Sequence, residues 1–273
     1  MTAILTLALK SLLNRKATAG LTIVSIALSV TLLLGVERIR TEAQNSFTST
    51  ISGTDLIIGA RSGPVQLLLY SVFRIGNASN NISWESYKEL AALESIDWTI
   101  PISLGDSHRG YRVMGTTPIY FDHFRFGTKQ LLEFDRGEPF SDLYDAVLGA
   151  EVAKALGYDL GDPIVIAHGA GSVSFVKHGD KPFVVAGVLK PTGTPVDRTI
   201  HVSLEGIEAI HVDWQEGMPV QGQTISDEQA RTMDLTPRQI TAFLVKLKSP
   251  MATFGVQRMV NNYREEPLSA ILP

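Results

Sequence analysis

The sequence predicts an α+β fold: a single N-terminal transmembrane helix, then an extracytoplasmic domain in which a split α+β part encloses an inserted, mainly β part. Three observations carry this reading. An uncharged run of twenty residues, Ala17 to Val36, lies near the N-terminus. The 237 residues after it alternate short β-type runs with a few amphipathic helical ones. Their order is strand-helix-strand, then a stretch of short strands and turns, then strand-helix, which is how one α+β unit split by a second module would read.

Residues 1–16 form a cytoplasmic or interfacial segment. TAILTLALKSLLN is too short to span a bilayer and too apolar to stay in water, which fits a helix lying along the membrane surface or an extension of the span itself. Residues 17–36 are the span. Twenty residues rising about 1.5 Å each cover roughly the 30 Å of a hydrocarbon core. Ten Leu, Ile and Val residues favour insertion by about 0.3–0.6 kcal/mol apiece at the helix centre, and no charged group opposes them. A cleavable signal sequence has a shorter apolar core. Lys10, Arg15 and Lys16 precede the run, against Arg38 and Arg40 after it, so the positive-inside rule puts the N-terminus in the cytoplasm and residues 37–273 outside it.

Thr18, Thr22, Ser25 and Ser29 recur at spacings of four, three and four, which stacks them on one side of the helix. Such a stripe is a candidate packing face, because small hydroxyl residues let a second helix approach closely. The same residues are also tolerated in any span through bonds to their own helix carbonyls.

Composition removes several function classes. The net charge of −4 contains no block of one sign, so no nucleic-acid partner is expected. There is no cysteine, hence no disulfide, thiolate metal site or thiol catalysis, and an outer domain of this size must be held by its core. That fits a bacterial envelope better than an animal cell surface.

After the span the helix is expected to continue for a turn or more. A strand follows at 55–59, a loop begins at Ala60, and the apolar run Gln66–Phe73 is either a core helix or an exposed contact element. Residues 77–81 mark a turn. Ser83 caps a helix to about Leu93, with strands at 98–104 and 111–115. Residues 144–156 read as a strand leading into a helix that Gly157 ends. A hairpin is expected from 163–167 and 172–177, turning through His168 to Gly171. Strands follow at 183–189 and 199–202, and a short helix at 204–210. Residues 214–228 have a linker's composition, 240–247 is a strand, and Ser249 caps a helix to about Tyr263.

No catalytic, cofactor or metal residues are assigned. The six histidines are scattered singly, without metal-ligand spacing, and even His168 facing His178 across the expected hairpin makes at most half a zinc site. No nucleophile elbow, dinucleotide fingerprint or P-loop occurs, so the polypeptide is not expected to be an enzyme.

Two stretches go further. Residues 147–166, VLGAEVAKALGYDLGDPIVI, resemble the GxxVAxxLGxxxGDxI segment in the outer core domain of MacB-like permeases. Residues 183–199, FVVAGVLKPTGTPVDRT, resemble the FxVxGVLxPTGTPxDR strand and loop that follows it. In this order, behind such a span, they make the whole chain similar to the FtsX-like permease superfamily, which includes lipoprotein-release and macrolide-efflux transporters.

The resemblance implies a periplasmic core domain over 37–273, with a porter-like part at 37–116 and 236–265 and an inserted part at 117–212. It implies the bacterial inner membrane as the location. The implied partners are a cytoplasmic ABC ATPase subunit that hydrolyses the ATP, a second permease copy or homologous permease, a periplasmic adaptor or lipoprotein, and membrane lipid. The outer domain would transmit the movement driven by ATP. Such permeases carry three further spans after this domain. A chain reaching only Pro273 is therefore a fragment, or takes its other helices from another polypeptide. The alternative function is a single-span anchored binding or scaffold protein. In the matched loop, Pro191, Gly193 and Pro195 are expected to set a stiff projecting turn. Asp197 and Arg198 either pair to hold that turn or contact a partner.

Overall fold

A computed structural model describes residues 2–169, 181–215, 218–219 and 225–273. It resolves into two units, Met1–Phe47 and Thr48–Pro273.

In the first unit, α1 (Thr2–Asn14) gives way to α2 (Lys16–Thr50) across a turn at Arg15. Helical hydrogen bonds pass through the turn, from Arg15 N–H to the Ser11 carbonyl at 3.2 Å and from Ala19 N–H to the Arg15 carbonyl at 2.9 Å. The stretch Lys16–Thr41 is long and apolar enough to cross a membrane, with a mean hydropathy of 2.2 in its apolar window.

The second unit is built on an eleven-stranded mixed sheet. Its strands are β1 (Leu56–Ala60), β2 (Ile96–His108), β3 (Tyr111–Thr116), β4 (Phe134–Gly137), β5 (Asp145–Leu148), β6 (Pro163–Ile164), β7 (Ala167–His168), β8 (Phe183–Leu189), β9 (Thr199–Ser203), β10 (Ala242–Leu247) and β11 (Leu268–Ile271). The spatial order is β11-β1-β10-β2-β3-β9-β5-β8-β4, with β7 added beside β2 and β6 beside β8. β3–β9 and β5–β8 run parallel, and the other pairs are antiparallel.

β2 joins the two ends of this sheet. From Ile96 to Ile102 it pairs with β10, and from Ser103 to His108 with β3. Its register slips between Leu104 and Ser107, where three steps on β2 oppose two on β3, so Gly105 and Asp106 lie in a bulge.

Along the chain α2 is followed by α3 (Pro64–Ser71), α4 (Trp84–Ala91), α5 (Ile119–His123), α6 (Ala150–Leu156), α7 (Leu204–His211), α8 (Asp227–Ala230) and α9 (Thr253–Asn261). Alternation along the strands sends side chains to opposite faces. One face carries a continuous core across the whole sheet, including Ile57, Ile100, Met114, Tyr120, Val147 and Leu244. The other face is divided. Leu56, Ile58, Phe243 and Val245 pack with α4 and α9, whereas Ala146, Leu148, Val185 and Ile200 pack with α6 and the end of α7.

The expected elements meet this architecture with several differences. The run at 66–73 belongs to a helix, Pro64–Ser71, whose Leu67 and Tyr70 are buried, so it is core. Ser83 caps α4 by accepting the Ser86 N–H at 3.2 Å. The first arm of the expected hairpin is corrected. Residues 163–167 do not form one strand, because Pro163–Ile164 pairs with β8 and Ala167–His168 with β2. Its second arm, 172–177, lies outside the described residues. The reading of 214–228 as linker is also corrected for its described part, since Trp214–Gln215 pairs with Met218–Pro219 and Ser226 caps a short helix over Asp227–Ala230 through a capping box. Composition does not reveal such short pairings, whose hydrogen bonds are made with few apolar residues. The last strand, β11, was not anticipated.

His201 on β9 is fully buried, with its ring stacked 5.2 Å from Tyr120. Its Nδ1–H donates to the Val147 carbonyl at 3.2 Å. Burial, with Arg74 adding repulsion, pushes its pKa down to about 3. The unfolded chain therefore takes up this proton near the ordinary value of about 6.5 while the folded chain refuses it. Stability from this group is full above that value and falls toward pH 3 by up to about 1.4 kcal/mol per pH unit. Urea unfolding at pH 7.5 and 4.5 is expected to show a smaller acid-induced loss in His201→Phe than in the natural protein.

Candidate functional site

The helix stripe is placed first. Thr18, Thr22, Ser25 and Ser29 are exposed along α2. Thr22 Oγ1 donates to the Thr18 carbonyl at 3.0 Å and Ser29 Oγ to the Ser25 carbonyl at 2.9 Å. These two hydroxyls are satisfied within the helix.

The two matched stretches lie side by side. β5 and β8 pair in parallel, Ala146 opposite Val185 and Leu148 opposite Val188, so the loops leaving both strands emerge at the same sheet end. β5 runs through Gly149 into α6, which ends at Gly157 in the left-handed conformation (φ 71°) that a residue without Cβ adopts at least cost. β8 runs into the loop at 190–194 and then a 3₁₀ turn, Pro195–Arg198.

Asp197 organises that loop. Its carboxylate accepts the Thr192 N–H, the Thr192 hydroxyl and the Gly193 N–H, each at 2.8 Å. Gly193 takes φ 69°, which lets its N–H face the carboxylate. Thr194 caps the 3₁₀ turn by accepting the Val196 N–H at 3.3 Å, and Val196 drops into the continuous core. Pro191 is exposed at the start of the loop, and Pro195 opens the turn, where its missing N–H costs nothing.

The loop rests against the first matched stretch. A Cβ on Gly149 would lie 2.2 Å from the Val196 carbonyl oxygen and 2.5 Å from that of Asp197, so only glycine permits this contact. Arg198 does not pair with Asp197. It donates instead to the Glu151 carboxylate on α6 and lies over the Tyr111 ring at 5.4 Å. The expected alternative of an Asp197–Arg198 pair is thereby corrected: Asp197 is occupied by amides of its own loop, and Arg198 ties the turn to the neighbouring helix.

The structure also brings together residues that linear spacing could not reveal. Asp106, His168 and His211 place one ligand atom each within 4.8 Å of one another. The carboxylate of Asp106 hydrogen-bonds His168 and holds its pKa above the ordinary value. Of the other histidines, His108 donates from Nδ1–H to the Val165 carbonyl at 2.7 Å, and its Nε2 lies 2.9 Å from the Tyr158 hydroxyl. His123 packs 5.2 Å from Trp98. His178 lies outside the described residues.

The chain thus joins a helix long and apolar enough to cross a membrane to a sheet-centred α+β unit, whose two matched stretches form one structural node. The chain belongs to the family of MacB-like periplasmic core domains, whose family model matches residues 19–263. The chain is similar to the periplasmic region of MacB from Actinobacillus actinomycetemcomitans, at 13% identity over 82% of this chain and 90% of that one, with a TM-score of 0.48. It is similar also to the extracellular domain of the noncanonic ABC-type transporter YknZ from Gram-positive bacteria, at 13% identity over 81% of this chain and 99% of that one, with a TM-score of 0.44. No match is found among curated proteins.

Asp197→Ala removes three bonds to a charged acceptor and is expected to lower stability by about 2–4 kcal/mol. Gly193→Val forces a β-branched residue to positive φ and is expected to cost about 1–2 kcal/mol. Chemical denaturation of each variant checks both values.

Proposed function

We propose that the protein is a permease subunit, or the N-terminal part of one, in an ABC transporter of the bacterial inner membrane. The observation that carries this reading is the span of the family match. It runs without interruption from residue 19, inside the apolar helix, to residue 263, beyond the last strand-helix pair. The N-terminus lies in the cytoplasm and the sheet-centred unit in the periplasm. Residues 37–116 with 236–265 form a porter-like part, and residues 117–212 an inserted one. A partner ATPase supplies the energy, and a second permease copy packs against the small-residue face of Thr18, Thr22, Ser25 and Ser29. The outer domain passes the resulting movement to a periplasmic adaptor or lipoprotein so that a substrate is exported or extracted. The node at Gly149 and Asp197 keeps that domain stiff enough to do so.

The natural absence of cysteine makes the orientation directly measurable. Met251 is 93% exposed. In intact spheroplasts, Met251→Cys should react with a membrane-impermeant maleimide and Lys10→Cys should not; the reverse pattern would invert the topology. Affinity purification from the native membrane is expected to bring down an ABC ATPase. Recovery of the protein with envelope proteins but no ATPase would favour the anchored scaffold instead. In a reconstituted transporter, Gly193→Val combined with Asp197→Ala is expected to reduce ATP-coupled transport, and unchanged transport would remove the node from the mechanism.

A further inference from the structure

Asp106, His168 and His211 stand apart from the loop node, on three separate elements. Asp106 sits in the β2 bulge and is 3% exposed. His168 on β7 is its directly opposed cross-strand partner. His211 is the last residue of α7. The bulge matters here, because an extra residue in one strand re-aims the side chains beside it.

All three donor atoms lie within 4.8 Å of one another, close enough to converge on one ion. Asp106 Oδ1 lies 3.2 Å from His168 Nδ1 and 3.7 Å from His211 Nε2. Ligand atoms about 2.0–2.1 Å from a tetrahedral zinc ion stand roughly 3.3 Å apart. The two imidazoles meet edge to face, 5.4 Å between centroids and 77° between planes, so neither covers the other's ring. His211 is held from behind. Its Nδ1 lies 2.8 Å from the Ile207 carbonyl, which can only accept, so Nδ1 carries a proton and Nε2 is the ring atom turned toward Asp106. A backbone carbonyl holding the remote ring nitrogen is the usual support of a metal-bound histidine.

The three residues line a cleft of about 340 Å³ whose wall also includes Glu208, Asp234 and Arg238. Glu208 is half-buried there, and burial raises its pKa. Ionic access is therefore available, and three protein ligands leave a fourth position for water or a further ligand from the cleft.

We propose that Asp106, His168 and His211 bind one divalent late first-row transition-metal ion, zinc being the best match to two imidazoles and one carboxylate. The ion fastens the β2 bulge to β7 and to the end of α7. This inference does not depend on the permease reading.

The test uses the full chain in detergent, without a polyhistidine tag, stripped with EDTA, dialysed against zinc chloride and analysed for metal by mass spectrometry. One zinc per chain is expected. His168→Gln and His211→Gln should each weaken zinc binding at least tenfold by isothermal titration, and should abolish the zinc-induced rise in melting temperature that binding to the native state produces. His168 has a side chain 45% exposed, so its variant should melt with the natural protein in EDTA and isolate the effect of the metal. If Asp106→Asn does not fold, the two histidine variants carry the result. Retention of well under one zinc per chain overturns the proposal. So does stoichiometric binding that persists in the double histidine variant, which would locate the metal elsewhere.

Discussion

One strand holds the outer unit together. β2 hydrogen-bonds β10 along its first half and β3 along its second, and no other strand is shared in this way between the two ends of the sheet among the described residues. Because its side chains alternate, the same strand supplies Ile100 and Ile102 to the continuous core on one face. Two smaller cores lie on the other face: α4 and α9 pack with one and α6 with the other, while α7 contributes Leu204 to the first and Ala209 and Ile210 to the second. Covalent cross-links contribute nothing in a chain without cysteine. Shared strand pairing and the continuous core therefore carry the join.

The loop at 190–198 obeys a different constraint. Few of its residues are buried, and its shape comes from one carboxylate satisfying three donors and one glycine permitting backbone contact. Val196 is the single apolar anchor within its 3₁₀ turn. A loop built this way owes its form to specific hydrogen bonds and tolerates little change at Gly149, Gly193 or Asp197. The GTPxDR pattern thus has a mechanical meaning that does not require contact with a ligand.

Much of this was legible in the sequence, for reasons that differ by element. The apolar helix, the strand at 183–189, the Ala242–Leu247 part of the strand expected at 240–247, and the Ser83 cap were readable because each is signalled by neighbouring residues: an uncharged run, a short buried apolar run, a hydroxyl before a helix. The short strands at 163–164 and 167–168 were not, since their partners are distant and their identity depends on a register slip in β2. Arg198 was misdirected for a similar reason, because Glu151 is near it only after β5 and β8 pair. Asp106 and His168 lie 62 residues apart, His211 lies further along the chain, and nothing in their local sequence signals that a bulge will turn them toward one another.

Among the described residues the sheet is open at both ends, and its edges differ in kind. β4 presents Asp135 and Arg136, exposed and ion-paired at 3.4 Å, on one rim. β11 on the other is four residues long and lies between Pro267 and Pro273, neither of which has an N–H to offer. Charge and proline at rims are what keep unpaired strands from templating one another. Copies of this domain crowded along a membrane would thus meet through side chains or not at all, and the sheet would be protected from growing into its neighbours as a fibril.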